Sequence, residues 1–487
     1  MSSFLFGALA TIASLAVVAV GSATGLLQSV LRYIYGDFTK AEVKKFVSYG
    51  VLFFFIIGVY WLLRCAKDPM FNELIVEGDF VVRGVIRFFA LFGKNYPVPV
   101  GSQATWIAKI ISLLVIFPLV GIYSYLIDLF PRHRMFYAVS AIYIALFVLL
   151  GYFAMSPVYG YNAPMANRIG LLGWLSYVVI ESFGSLTVVL FYSFMADTTT
   201  PQAGKKAFYI TATFGQLGAI LGSKMTGVVA DLFSVPQIFY VAALAVLLIP
   251  ALVWFIMWYI PKAEMAGYQA KSGAEKKNKP GIIDGLKLFL SQPFLLGIFI
   301  WITAFEVIAT VFDLRFKILI QEATLGNKAA YAQWTSDFGV WVGVLALVSL
   351  LLGVGNIGRR IGLTLSLVAL PFLMAFNAFF MFAYPVVDIA FYVMVASKGI
   401  NYAFGQPSKE QLFIPVSQEA RYKSKAWIDS FGSRGAKAGG SLIQGFVGGT
   451  GLAMLFMVLG VSAIWAIVAL FLGRKATYAV ENNEIVC

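Results

Sequence analysis

Residues 431–439 read FGSRGAKAG and residues 214–222 read FGQLGAILG, so Phe, Gly, Gly, Ala and Gly recur at the same spacing in two distant stretches. A repeat of this kind implies an internally duplicated chain. At roughly 100° per residue, Ser430, Ser433, Lys437, Ser441 and Gln444 share one helical stripe, with Gly432, Gly435 and Gly439 on the other side. In the earlier copy Thr213, Gln216 and Lys224 lie opposite Gly215, Gly218 and Gly222. The glycines predict close approach of a neighbouring helix. The polar stripes predict two related helices facing one central wet site.

The later copy closes a charged stretch, Lys409–Gly440 (KEQLFIPVSQEARYKSKAWIDSFGSRGAKAGG), inside an otherwise apolar chain. Charge at membrane depth costs about 2.5–3.5 kcal/mol per residue on insertion scales, and ionisable groups there usually mark a substrate or ion path. The membrane setting follows from composition: 487 residues, 60% hydrophobic, 16% aromatic and 12% charged. Mean hydropathy is +0.84. That is a polytopic protein whose apolar surroundings are the lipid bilayer. Long runs without alternation, such as Val47–Leu63 and Leu452–Leu472, predict helices rather than a barrel.

The net charge of +13 is scattered in short clusters between apolar spans, so it reads as topology and not as a nucleic-acid surface. Cys65 and Cys487 lie in different settings and predict no disulfide. A single His, His133, leaves almost no metal or proton-shuttle inventory, and no cofactor or enzyme chemistry is predicted. Gly353-Val-Gly355-Asn-Ile-Gly358 matches GxGxxG in form, yet it sits between apolar helices rather than after a strand. No GxxxxGK[ST] motif for ATP hydrolysis is present.

Twelve spans are predicted near 46–66, 104–128, 135–154, 170–195, 208–232, 237–260, 293–314, 338–355, 361–383, 386–404, 426–449 and 451–473. Every even-numbered exit is basic: Arg132 and Arg134, Lys205 and Lys206, Lys262 to Lys279, Arg359 and Arg360, Lys423 and Lys425, Arg474 and Lys475. The positive-inside rule therefore puts both core ends in the cytoplasm. Residues 261–284 form the one long polar linker and divide the chain into six spans and six spans. The predicted organisation is a lead-in at 1–45, a bundle at 46–260, the linker, a bundle at 285–475 and a tail at 476–487. Residues 4–31 add an N-terminal apolar helix without the basic start of a secretory signal. Residues 69–100 suggest a short interfacial helix near Arg83 and Arg87.

Charge recurs within the spans. The first ends Tyr60-x-x-x-Arg64-x-x-Lys67-Asp68, in which Arg64 and Asp68 are spaced as a local pair. The second begins with Lys109, the fourth carries Glu181, and the seventh carries Glu306, Thr310, Asp313 and Lys317 at helical spacing, with Arg315 nearby. Several Lys and Arg in one cavity suit a multiply charged anion, phosphate above all. Tyr60, Phe312, Phe316 and Trp427 are the aromatics placed to stack on a planar ring.

Three blocks resemble the bacterial and plastid ATP/ADP translocase family. Lys409-Glu-Gln-Leu-Phe-Ile-Pro415 is similar to its KEMxYIP, Lys423-Ser-Lys425-Ala-Trp-Ile-Asp429 to its KxKAxID, and Leu63-Arg64-Cys-Ala-Lys67-Asp68 to its LRxxKD. The resemblance implies a major-facilitator-like fold and exchange of ATP for ADP plus phosphate. It implies that Lys67, Glu181, Asp313 and Lys437 bind substrate, with Arg64, Lys317, Arg315, Arg434 and Asp429 as further candidates. Phe312-Asp-Leu-Arg315-Phe-Lys317 departs from the family's EGxWK-like run, and Ala436-Lys437-Ala438 from its GKS. These departures leave the nucleotide open, and the alternative is an importer of another nucleotide, NAD or an organic anion, with proton coupling through Glu181 or Asp313.

The expectation is thus an all-α integral membrane protein of twelve transmembrane helices in two bundles, plus the N-terminal helix. It is expected to act as a monomer in a bacterial inner membrane, with nucleotides and the bilayer as its partners.

Overall fold

A computed structural model describes residues 39–76, 78–91, 101–129, 131–199, 201–262, 264–265, 290–351, 362–413, 415–417, 432–447, 451–482 and 484–486. Within these every regular element is helical. The predicted N-terminal helix at 4–31, most of the linker, Trp427 and Asp429 lie outside the described residues.

The first helix, α1 (Lys40–Leu74), starts at a capping box: the Thr39 hydroxyl accepts from the Glu42 amide at 3.1 Å and the Glu42 carboxylate accepts from the Thr39 amide at 2.9 Å. A short amphipathic helix, α2 (Phe80–Ala90), buries Val82 against Phe71, Trp174 and Tyr177 while Phe80 and Phe88 stay exposed. Then come α3 (Thr105–Leu129), α4 (Arg132–Ala154), α5 (Gly170–Thr198) and α6 (Pro201–Leu232). The sixth predicted span is divided into α7 (Ile238–Val246) and α8 (Leu248–Tyr259). Pro250 has no N–H for the Val246 carbonyl, which accounts for the break.

The second half runs α9 (Pro293–Thr324), α10 (Lys328–Leu351), α11 (Leu363–Ala383), α12 (Val387–Ile400), α13 (Gln406–Leu412), α14 (Ser433–Val447) and α15 (Gly451–Glu481). A π-helical turn, Asn401–Gly405, joins α12 to α13. The α9 helix continues past the bound of 314 read from hydropathy, because its charged end is enclosed by protein and needs no lipid-compatible surface.

Among the described residues, seven helical stretches are long and apolar enough to cross a membrane by length and composition: Lys40–Leu74, His133–Ala154, Gly170–Met195, Val235–Tyr259, Pro293–Thr324, Leu363–Ala383 and Gly451–Glu481. Large apolar side chains stand on the outer faces of α4, α8, α11 and α15, among them Tyr152, Trp254, Trp258, Phe372, Phe376 and Phe456. Such a surface suits acyl chains and not water.

Among the described residues two large apolar cores stand beside the small cluster under α2, one built from residues between Val43 and Ile260 together with Ala332, the other from residues between Phe294 and Ala476 together with Trp61, Cys65 and Ala219. The residues that cross over belong to α1, α6 and α10, the helices where the halves meet. There α6 is wedged between α1 and α10. A Cβ on Gly218 would overlap the Phe54 carbonyl oxygen, and one on Gly222 the Gly58 carbonyl oxygen. On its other flank Ser336 of α10 donates to the Ser223 carbonyl at 2.7 Å.

Candidate functional site

Arg64, Lys67 and Asp68 of α1 and Glu306, Asp313 and Lys317 of α9 turn to a cavity of about 440 Å³ between the halves. Its walls come from α1, α3, α5, α9, α10, α12 with the π-helical turn, and α14. Among the described residues lining it are seven cations (Arg64, Lys67, Lys109, Lys317, Lys398, Arg434, Lys437) against four carboxylates (Asp68, Glu181, Glu306, Asp313). The excess of positive charge makes it an anion site.

Most of these charges are paired, as buried ions must be. Lys67 is 5% exposed and bonds to Glu181. Lys317 lies 3.0 Å from Asp68 and 3.1 Å from Asp313, which Lys109 also reaches at 2.7 Å. One network therefore links α1, α9 and α3 across the two halves, using residues far apart in sequence. A second, looser group forms around Glu306, which accepts from the Ser433 hydroxyl at 3.2 Å and lies 3.8 Å from Lys437.

Three cations stand outside these groups. The Arg64 guanidinium lies 4.6 Å above the Trp61 ring and reaches the Tyr60 hydroxyl at 3.5 Å, and among the described residues it has no carboxylate partner. Lys398 sits 5.6 Å from the Phe305 ring centroid. Arg434 lines the cavity as well. Cation–π contact holds a charge in place without neutralising it, so Arg64 and Lys398 remain available to an incoming anion.

Beyond the cavity, toward Leu74 and Thr324, polar contacts tie the halves together. Glu73 pairs with Arg168 at 2.9 Å and with Lys328 at 3.4 Å, while Lys328 also donates to the Tyr161 carbonyl at 2.9 Å. The Ser102 amide donates to Asn72 at 2.8 Å and to Gln321 at 2.9 Å.

The structure brings Lys67, Glu181, Asp313, Lys437, Arg64, Lys317 and Arg434 to one cavity. Arg315 does not line it, and among the described residues its buried Nε has no hydrogen-bond partner. Residue 315 is two positions from both Asp313 and Lys317 and so points to the far side of α9. Asp68 pairs with Lys317 instead of with Arg64, because a neighbouring helix offers a closer cation than the next turn does. Phe312 is fully buried outside the cavity, whereas Tyr60 and Phe316 line it.

The expectation for α6 needs correction. No described residue of α6 lines the cavity, and Lys224 is 55% exposed, 4.0 Å from Asp337 of α10. The polar face of α6 meets α10 because its glycine face is spent on α1. The glycine seam of α14 also differs: Gly432 meets Phe299 and Gly440 meets the Val307 carbonyl, while Gly435 and Gly439 have nothing within 4 Å among the described residues. The α9-facing edge is thus Gly432, Ala436 and Gly440, at i, i+4 and i+8.

The sequence-based set lacks Glu306, Lys109, Asp68 and Lys398 as site members. The signal for Lys398 is an ionisable side chain within the apolar run Val393–Ile400. Among the described residues no three His, Cys, Asp or Glu side chains converge as metal ligands would.

Known proteins share this architecture. The chain is 24% identical to ADP,ATP carrier protein 1 of Chlamydia pneumoniae over 515 residues, covering 91% of this chain and 94% of that one. It is 24% identical to the chloroplast ADP,ATP carrier protein 1 of Arabidopsis thaliana, covering 84% of this chain and 69% of that one. Among solved structures, a nucleoside transporter superposes with a TM-score of 0.57 at 13% identity, covering 88% of this chain and 99% of its own. An inward-facing bacterial homologue of the human lysosomal transporter Spinster gives 0.55 at 12% identity, covering 88% and 98%. These two share the fold. The family model described as TLC ATP/ADP transporter matches residues 172–395 and 384–475, and by that match, over more than half its length, the chain belongs to this family.

Proposed function

We propose that this protein is a secondary transporter that exchanges ATP for ADP, with phosphate, by alternating access. Family membership and the names of the carrier relatives support the cargo. The observation that carries the reading is the network Asp68–Lys317–Asp313–Lys109, which joins the halves through side chains that phosphate oxygens would compete for.

Lys67, Arg64, Lys317 and Lys437 hold phosphates, with Arg434 adding charge to the same wall. Glu181 and Asp313 take those cations between loads. A carrier whose acids and bases must find one another before it rocks crosses slowly without cargo, and a bound nucleotide lowers that barrier; this is a mechanism for obligate exchange. The contacts of Glu73 with Arg168 and Lys328 act as the gate on the face toward Leu74, and they part when that face opens. Twelve transmembrane helices in two six-helix bundles, at 46–260 and 285–475, rock about the α1–α6–α10 seam. Lys40 and Pro293 lie at cytoplasmic ends, and the protein works as a monomer in a bacterial inner membrane.

The test is counter-exchange of labelled ADP in proteoliposomes, with and without a pH gradient. Glu181→Ala and Lys437→Ala are expected to cut exchange strongly. Unchanged exchange in both would sink the assignment, and uptake driven by the pH gradient without counter-substrate would favour proton-coupled import.

A further inference from the structure

A second pocket, of about 170 Å³, opens off the main cavity and shares Phe305, Glu306, Asn401 and Ser433 with it. Trp301 and Ile302 wall its other side. Both aromatics are held by their own packing: the Trp301 ring meets Trp465 edge-on at 5.9 Å, its indole N–H points at the Leu367 carbonyl at 3.5 Å, and Phe305 lies 6.3 Å from the same Trp465. Fixed rings of this kind cost little ordering when a flat ligand arrives. The opposite wall is the π-helical turn Asn401–Gly405, a wide turn that is rare in helices and frequent at functional sites. A Cβ on Gly405 would meet the Asn401 side-chain oxygen, so glycine leaves that amide its place in the wall.

We propose that this pocket is a nucleobase subsite in which Glu306 and Asn401 read the amino group of a purine. The inference rests on the nucleotide-exchange reading and adds the place and polarity of the base. Along α9, Glu306 precedes Asp313 by seven residues, a rise of about 10 Å. That is the scale of a nucleotide from its base to its phosphates. With the outer phosphates among Arg64, Lys67 and Lys317 and the phosphate next to the ribose toward Lys437, which lies 3.8 Å from Glu306, the base reaches Phe305 and Glu306. An ionised carboxylate only accepts hydrogen bonds, so Glu306 welcomes an exocyclic amine and repels a carbonyl oxygen; the Asn401 amide offers one donor and one acceptor edge. Stacking on Phe305 and Trp301 supplies affinity that does not depend on the base. Lys409 and Ser433 also line the pocket, and discrimination among bases is assigned to Glu306 and Asn401.

The full-length protein in liposomes is given two competitor series against labelled ADP exchange, one of base (ADP, GDP, IDP) and one of phosphate number (AMP, ADP, ATP). Wild type is expected to take ADP on the order of tenfold better than IDP, since a site built to pair with an amino group rejects the analogue lacking it, and GDP, whose C6 carries the same carbonyl as IDP, is expected to fall below ADP. Glu306→Gln, whose amide can donate to the inosine carbonyl, should bring IDP near parity while the ranking by phosphate number stays. Asn401→Ala should also flatten the base series, and it decides the matter if Glu306→Gln cannot be reconstituted. A wild type that treats IDP like ADP overturns the inference, as do variants that weaken all competitors alike or change only the phosphate ranking. Those last two results would make the pocket a phosphate site, with Lys409 as the cation in its wall. A wild type that exchanges no nucleotide at all rejects the parent function, and this subsite with it.

Discussion

The helices α6 and α14 carry the same Phe-Gly-x-x-Gly-Ala-x-x-Gly pattern and use it in different ways. In α6 the glycines close against the backbone of α1, and the polar side of the helix is passed to α10. In α14 the packed edge is displaced to Gly432, Ala436 and Gly440, and the polar stripe with Ser433 and Lys437 opens on the cavity. A shared pattern thus fixes that a helix is closely approached, while its neighbours decide which face is spent on packing and which is left for cargo.

The comparison breaks most visibly at the glycines. In Gly222→Ala the new methyl meets the Gly58 carbonyl oxygen, backbone that cannot turn aside as a side chain would. The expected loss is about 3 kcal/mol, the upper part of the overpacking range, read as a lower midpoint of thermal unfolding in detergent. Gly439→Ala adds a methyl where nothing lies within 4 Å among the described residues and should stay within about 0.5 kcal/mol. Equal losses at the two positions would remove the distinction between a packed copy and an open one.

The open copy is next. Lys437→Ala removes a half-exposed ammonium whose carboxylate neighbour keeps the Ser433 hydroxyl, so the fold should hold. The half-saturating ADP concentration in exchange is expected to rise on the order of tenfold, the worth of one charge-assisted bond. On the packed copy, Ser336→Ala withdraws the donor that Ser223 accepts at 2.7 Å. About 1 kcal/mol of stability should go with it, with ADP concentration dependence unchanged.

Much of this architecture is legible in the residues because hydropathy is a one-dimensional signal. Apolar runs alone locate α4, α11 and α15, whose outer faces carry Tyr152, Phe372 and Phe456. The pairing of charges is a different kind of information. Lys109 meets Asp313 across 204 positions and Lys67 meets Glu181 across 114, and no spacing rule within one helix reaches either. Local spacing even misleads: Arg64 and Asp68 satisfy the i, i+4 rule, yet the Asp68 carboxylate goes to Lys317. Where helical geometry alone was enough, it excludes Arg315 from the face shared by Asp313 and Lys317. The polar faces of α6 and α14 look alike in sequence because both are screened from lipid, one by protein and the other by the cavity.

Lys224 gives the smallest and most discriminating test of that last distinction. It occupies the polar face of α6, as Lys437 occupies that of α14, and a reading of the repeat alone would assign it to the cargo. In the structure its ammonium is 55% exposed and 4.0 Å from Asp337, itself 42% exposed and already bonded by Gln333 at 2.9 Å. A solvent-exposed ion pair contributes about 0–1 kcal/mol, and Asp337 keeps a donor when Lys224 is gone. Lys224→Ala should therefore shift the unfolding midpoint little and leave the half-saturating ADP concentration where it is in wild type. A rise comparable to that of Lys437→Ala would mean that α6 turns its polar face to the substrate at some point in the transport cycle, and the α6–α10 seam would then have to open during exchange rather than serve as a fixed pivot.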